Sequence, residues 1–525
     1  MAFYSQITTI KWKGILKMDI INALLVFDQF WLTVFLLVPM ILLARMIVAG
    51  TKYSPILFVV VLGLALGFLL NLAGVVEPGM PTLQMTDMVS GAAVLALIPT
   101  IFSGGQALRK KFGKIDFEPE ELEIPSTDKA FVGTTVNQLI SIVRALFLII
   151  GIASLSRVIL GSSSTSFSPY YALFAFVGIA CATLLVDQKA IIAKQKLYLK
   201  KGIIELLLIV AILVISSLLA SWVGQFIALP QIFFAMLMAI PLGAVFYNWS
   251  YGPTVKSLLY TGLPVVLSAN FLIGGSRLTQ VTELPGMTPV LAFGFFGQLF
   301  WMFGGIALLM LLSKTAKVRN LAPAIAGGLS HSGLTGACTA GDFGPEAASR
   351  APITVNMPFV AHPFIFGILA VSAAAGALSM IPSIIMVGVG IALVFYGTKN
   401  LKVANGDDAK EVASITTFAQ GWTFTAVFGG MTLLSAFGMP MDLMALGVTS
   451  SLSHFGLFAA TQGGMFGQNA ADLLPMIFAM PFLVHPFVFY FFGKAMDNNN
   501  EMPKKPVFIL AILGLIGVLF SLFII

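Results

Sequence analysis

Four histidines are the chain's whole complement, and they fall into two matched pairs. His331 stands in "GGLSHSGLTG" and His454 in "SLSHFGLFAATQGG", while His362 and His485 each precede proline in "MPFVAHPF" and "MPFLVHPF". The separation is 123 residues in both cases (331 to 454, 362 to 485). Around His331, the residues Gly327, Ser330, Ser332, Gly333 and Thr335 set hydroxyls beside permissive backbone. Around His454 stand Ser453, Gly456, Thr461 and Gln462. Free carbonyls with hydroxyl or amide oxygens suit a hard cation such as sodium, and helix N-termini attract anions. Glycine lets the backbone approach a ligand closely. The pattern fits an ion and small-solute site; the competing reading is a hydrogen-bonded packing histidine at a helix break. His362 and His485 read as kink-associated scaffold, because proline frees a carbonyl that a neighbouring side chain can satisfy.

Other polar residues are few. Asp342, Glu346 and Arg350 follow the first motif, and Asn469 and Asp472 follow the second. Ionisable groups inside a bilayer are costly, so Asp342 is a site candidate. Alternatively, 342–350 is a surface loop in which Glu346 and Arg350 pair at i, i+4. Arg144, in "VNQLISIVRALFLII", either binds a carboxylate or pairs with an acidic neighbour, with Asn137 a lesser candidate. No nucleophile–base pair and no phosphate-binding loop is evident, which argues against an enzyme and against ATP-driven transport. Cys181 and Cys338 lie in apolar segments and imply neither a disulfide nor a metal motif.

These residues must be held by membrane-spanning elements. The chain has 525 residues, 58% hydrophobic and 10% charged, with a mean hydropathy of +0.97. A soluble fold cannot hide that much apolar surface, so the chain is an integral, multi-pass protein of a cell (inner or plasma) membrane. The weak alternation of a membrane β-barrel is absent, leaving an all-α helical bundle. Apolar spans are expected near 27–49, 54–76, 86–108, 134–159, 168–187, 202–224, 229–248, 255–277, 288–312, 354–376, 378–397, 413–436, 471–492 and 506–525. Two shorter stretches, 320–345 and 443–468, are rich in small residues. If both dip in and return, every basic loop (109–129, 189–201, 314–319, 399–410, 494–505) falls on one side, as the positive-inside bias requires. The net charge of +7 is thus an orientation signal rather than one for nucleic acid. Lys11, Lys13 and Lys17 fit this scheme only if 1–26 is an interfacial segment anchored by Trp12. Three membrane blocks follow: 27–224 with a cytoplasmic loop at 109–130, 225–397 with the first re-entrant motif, and 398–525 with the second.

Aligned without a gap, 330–364 and 453–487 share 17 of 35 residues. The spans before the two copies run in opposite directions, so the motif is inserted from opposite faces. Inverted repeats with broken helices meeting near the midplane are an architecture of secondary transporters. A weaker echo links "IPTIFSGGQAL" (98–108) with "SANFLIGGSRL" (268–278), also on opposed spans.

The stretch "VLAFGFFGQLFWMFGGIALLMLLSKTAKVRNLAPAIAGGLSHSGLTGACTAG", followed by "VNMPFVAHPFIFGIL", resembles the second half of bacterial sodium–glutamate symporters. The resemblance covers about 255–376, again 413–492, and suggestively 54–108. It implies an inverted-repeat, homodimeric carrier with sodium and substrate at paired re-entrant loops. Gly327, Ser330, His331, Ser332, Gly333 and Thr335 would belong to the first loop, and Ser453, His454, Gly456, Thr461 and Gln462 to the second. The expected function is secondary transport of a small anionic solute, coupled to sodium or protons by alternating access, with no cofactor beyond the coupling ion. The alternatives are an uncoupled channel on the same loops and a redox subunit whose histidines ligate a haem.

Overall fold

The computed structural model describes residues 30–49, 55–79, 84–113, 135–161, 169–184, 192–280, 286–340, 342–404 and 406–525. The expected N-terminal interfacial segment and most of the 109–130 loop lie outside them. Among the described residues the secondary structure is helical, apart from two isolated bridges. Ten helical stretches are long and apolar enough to cross a bilayer core of about 30 Å. This is an all-α polytopic membrane protein.

In chain order the helices of the first half are α1 (Phe30–Val48), α2 (Pro55–Leu72), α3 (Gln84–Ser90), α4 (Ala93–Phe112), α5 (Thr135–Ile159), α6 (Leu173–Leu184), α7 (Ile192–Val223), α8 (Gln231–Val245), α9 (Pro253–Ser257) and α10 (Leu263–Ser276). The second half holds α11 (Met287–Ser313), α12 (Val318–Gly328), α13 (Ser332–Ala340), α14 (Pro345–Asn356), α15 (His362–Ala375), α16 (Met380–Val403), α17 (Asp408–Ala436), α18 (Met441–Leu452), α19 (Phe455–Gln462), α20 (Gln468–Ala479), α21 (His485–Asp497) and α22 (Lys504–Phe523).

One end of the bundle gathers the basic segments. Val318 N–H donates to the Asn500 carbonyl at 2.9 Å and Met502 N–H to that of Ala316 at 2.8 Å. Arg319 meets Glu346 at 3.1 Å, and Arg350 meets Asp408 at 2.7 Å. The chain therefore leaves this end at Arg319 and is back at it by Glu346. The second copy repeats the closure at the opposite end, where Asn469 Nδ2 donates to Asp442 at 2.8 Å. Positions 319 and 346 map onto 442 and 469 by the same offset of 123. The two motifs are thus helix–break–helix hairpins that enter from opposite ends.

The pseudo-twofold reaches well beyond the duplicated motif. α16 follows the first copy but packs on α17, and α22 follows the second but packs on α11. Gly390 and Gly397 let α16 touch the α17 backbone, as Gly514 lets α22 touch that of α11. Small residues at such seams allow the close backbone approach on which helix association in lipid depends. The weak echo in the first half is also a real element of symmetry. Gly67 of α2 lies against the carbonyl of Leu272 on α10, and Gly243 of α8 lies against that of Phe102 on α4. The reciprocal glycines Gly275 and Gly105 face the carbonyls of Leu64 and Ile240. Phe102 and Leu272, and Gly105 and Gly275, correspond by the alignment of 98–108 with 268–278 (offset 170), while Gly67 and Gly243, and Leu64 and Ile240, correspond at an offset of 176.

One local expectation is corrected. Glu346 and Arg350 do not pair with each other on a surface loop; both sit in the first turns of α14. Glu346 binds Arg319, while Arg350, only 4% exposed, binds Asp408 and Glu411 on α17. A buried guanidinium needs more than one screened carboxylate, and the N-terminus of α17 provides two.

Candidate functional site

The two hairpins meet at their breaks. Ser330 and Ser453 adopt left-handed backbone (φ 46° and 47°), which costs non-glycine residues energy and clusters at functional positions. His331 and His454 form an antiparallel bridge, and Phe455 N–H donates to the Ser330 carbonyl at 3.1 Å. Each break is closed the same way: His331 N–H reaches the Ala326 carbonyl (2.9 Å), and His454 N–H that of Thr449 (3.2 Å).

Backbone contacts fix the histidine tautomers. Nδ1 of His331 accepts from Leu334 N–H at 3.2 Å, and Nδ1 of His454 from Leu457 N–H at 3.1 Å. Each caps the short helix that follows, so each carries its proton on Nε2. His362 Nδ1 lies 2.9 Å from the Pro358 carbonyl and must donate, leaving Nε2 to accept from His454 Nε2–H at 3.1 Å. His331 Nε2 lies 2.6 Å from the Gln298 amide nitrogen, a clash of donors, while Gln298 Oε1 has no partner. Turning that amide over removes the clash, because Oε1 then accepts from His331 Nε2–H and from the Ser453 hydroxyl, with the amide nitrogen at the outer position. His485 donates from Nδ1 to the Phe482 carbonyl at 3.1 Å and packs against His331, ring centroids 4.7 Å apart.

The prolyl histidines are therefore more than kink residues. Each repeat lends its His-Pro histidine to the other repeat's hairpin, at centroid distances of 4.7 and 4.8 Å. Gly333 and Gly456 make room for them, since a β-carbon there would lie 2.7 Å from His485 and 3.1 Å from His362. These direct ring contacts leave no gap for a macrocycle within either pair. Among the described residues no group of three or more His, Cys, Asp or Glu could hold a metal ion.

A cavity of about 220 Å³ opens beside the first hairpin. Ser330 and Thr335 line it together with Thr100, Ser103, Tyr260 and Asn356. Other predicted residues are placed elsewhere. Gly327 packs against the Thr354 carbonyl. Ser453 Oγ lies 3.1 Å from the Gln298 amide, and Thr461 donates to the Leu457 carbonyl at 2.8 Å. Gln462 Nε2 reaches Ser90 Oγ (3.0 Å) and Asn270 Oδ1 (3.2 Å), tying the second hairpin to α3 and α10. Asp342 and Asn469 are exposed at opposite ends. Arg144 sits on α5 within electrostatic reach of Tyr198 and does not line the cavity. The Ser332 and Asn137 side chains lie outside the described set.

Asn356, Thr100, Ser103, Gln298 and Asn270 were not singled out from sequence. The available signal was an isolated amide or hydroxyl within an apolar span, which is weak until the neighbouring helix is known. No known protein family's sequence profile matches this chain, and neither a curated protein nor a solved structure matches it.

Proposed function

We propose that this protein is a secondary active transporter for a small, carboxylate-bearing organic solute, coupled to a sodium or proton gradient. In this reading the hairpins are re-entrant in the bilayer, the basic end is cytoplasmic, and one bundle moves against the other in a homodimer of a cell membrane. The observation that carries it is the meeting of two oppositely inserted hairpins at strained, bridged breaks beside a polar-lined cavity. Broken helices facing each other near the midplane aim their backbone dipoles at the place where a solute and its coupling ion bind. The reading keeps the chain as a distant relative of the sodium–glutamate symporters, on the motif resemblance, and involves no covalent chemistry.

The test is uptake into liposomes holding the purified full chain. A panel of radiolabelled carboxylates and amino acids is offered under an inward sodium gradient, an inward proton gradient or neither. Saturable accumulation that collapses with an ionophore is expected for at least one solute. Large ohmic currents in a planar bilayer without gradient-driven uptake would replace the carrier with a channel.

A further inference from the structure

We infer that the first hairpin's cavity contains a subsite for a positively polarised group, built by Asn356 and Ser330. Asn356 Nδ2 donates to the Pro352 carbonyl at 2.7 Å, which fixes the amide's orientation and leaves Oδ1 as the free end. Among the described residues Asn356 Oδ1 and Ser330 Oγ have no hydrogen-bond partner, although the residues are only 1% and 3% exposed. Both line the cavity. A buried acceptor left unpaired costs about 1–3 kcal/mol, so each needs an explanation. The cavity's other polar neighbours include the hydroxyls of Thr100, Ser103 and Thr335, and none of its lining residues is charged. The unpaired Asn356 oxygen can only accept, and the Ser330 hydroxyl can turn its lone pairs the same way, so this uncharged lining takes a group that brings its own donors or positive charge: an organic ammonium or a sodium ion.

The repeat supplies an internal control. The counterparts of Thr335, Val355, Asn356 and Phe359 at the same offset are Phe458, Phe478, Ala479 and Phe482. There Phe458, Phe478 and Phe482 pack with Phe271 of α10, at centroid distances of 4.5–6.3 Å. All four rings are fully buried. The same backbone is thus built in the second copy without an amide or hydroxyl at these positions. Folding the hairpin does not require an amide at position 356, which points to a ligand for the unpaired Asn356 oxygen.

This inference rests on the site named above but not on gradient coupling, and its test reads binding alone. In the full chain with Cys181 and Cys338 replaced by alanine, Thr335→Cys reports on the cavity, Phe458→Cys on its counterpart and the exposed Ser349→Cys on bulk reactivity. Each is labelled with a cationic (2-aminoethyl) and an anionic (2-sulfonatoethyl) methanethiosulfonate. Relative to Ser349→Cys, the cationic reagent should react at least tenfold faster than the anionic one at Thr335→Cys. Adding Asn356→Leu should erase that preference, and Phe458→Cys should react with neither. Slowing by methylammonium chloride, but not by sodium chloride at equal ionic strength, assigns the subsite to an organic ammonium; slowing by sodium chloride assigns it to the ion. No charge preference, an anionic preference, no labelling, or protection by neither salt overturns the subsite. A protein that labels as expected yet drives no gradient-dependent uptake keeps the subsite and loses the transport reading.

Discussion

Gly67 and Gly243 allow a direct test of the symmetry that positions the hairpins. A β-carbon on Gly67 would lie 2.0 Å from the Leu272 carbonyl oxygen, and one on Gly243 would lie 2.1 Å from that of Phe102. Ordinary contact begins at 3.4 Å, so alanine at either site forces its helix pair apart by about 1.3–1.4 Å. The obstacles are backbone atoms, which cannot rotate away as a side chain could. A gap of about 0.5–1 Å already forfeits a quarter to a half of the dispersion attraction across a seam. Overpacking of this kind costs about 1–3 kcal/mol, against a helix-propensity gain of about 1 kcal/mol for replacing glycine. Both variants should lose net stability, by amounts similar to each other. Gly388 on α16, with no atom within 4 Å of its would-be β-carbon, is the control. Gly388→Ala keeps only the propensity gain and should hold or raise the unfolding midpoint. The assay is thermal or SDS unfolding of purified protein in detergent. Equal midpoints for Gly67→Ala and Gly388→Ala would refute the close approach, and a wide split between Gly67→Ala and Gly243→Ala would refute the equivalence.

Three further outcomes follow from the site and the ends of the bundle. His454→Ala strips Leu457 N–H of its acceptor and His362 of its donor, at about 1–3 kcal/mol for each buried group, and His454→Asn should recover part because its oxygen can still cap α19. An unchanged unfolding midpoint in His454→Ala would contradict the tautomers assigned above. Arg350→Met leaves the buried Glu411 with Arg319 alone, at 3.3 Å, and should cost somewhat less than the roughly 3–5 kcal/mol of a fully orphaned buried charge; Glu411→Gln should relieve it, and a double-mutant cycle without coupling would contradict that pairing. Cysteines at Ser349, Lys402 and Lys494 should react with an impermeant thiol reagent from one face of sealed vesicles, and one at Asn469 from the other. Labelling of all four from the same face would overturn the opposite insertion of the hairpins.

Much of the fold was legible because lipid imposes a simple rule: apolar runs of a fixed length must cross as helices. The spans from 27–49 to 506–525 lie in helical segments where the residues are described, ten of them in helices long and apolar enough to cross a bilayer, and the bias of lysine and arginine led to the expectation that the chain turns back within 320–345 and 443–468. The 123-residue repeat marked the two stretches in which the breaks at Ser330 and Ser453 lie. What stayed hidden was pairing across the repeats. The offset that relates His331 to His454 carries no sign that His331 meets His485 and His454 meets His362. That pairing depends on how two inverted hairpins cross. Arg350 was misassigned for a related reason: Glu346 is its neighbour in sequence, but the N-terminus of α17 delivers two carboxylates at shorter reach.

By itself, the sequence determined that this is a helical membrane protein carrying a duplicated motif, and it led to the expectation that the two copies are inserted from opposite sides. Those properties follow from hydropathy, charge bias and internal identity, which are local or additive along the chain. Only the tertiary structure decided which polar groups share a space. Two copies of one motif acquired unlike surroundings, a polar cavity beside Thr335 and Asn356 and a phenylalanine cluster beside Phe458 and Ala479. Neither environment is written in the shared motif, because each depends on helices α4 and α10 brought against the hairpins from the other half of the chain.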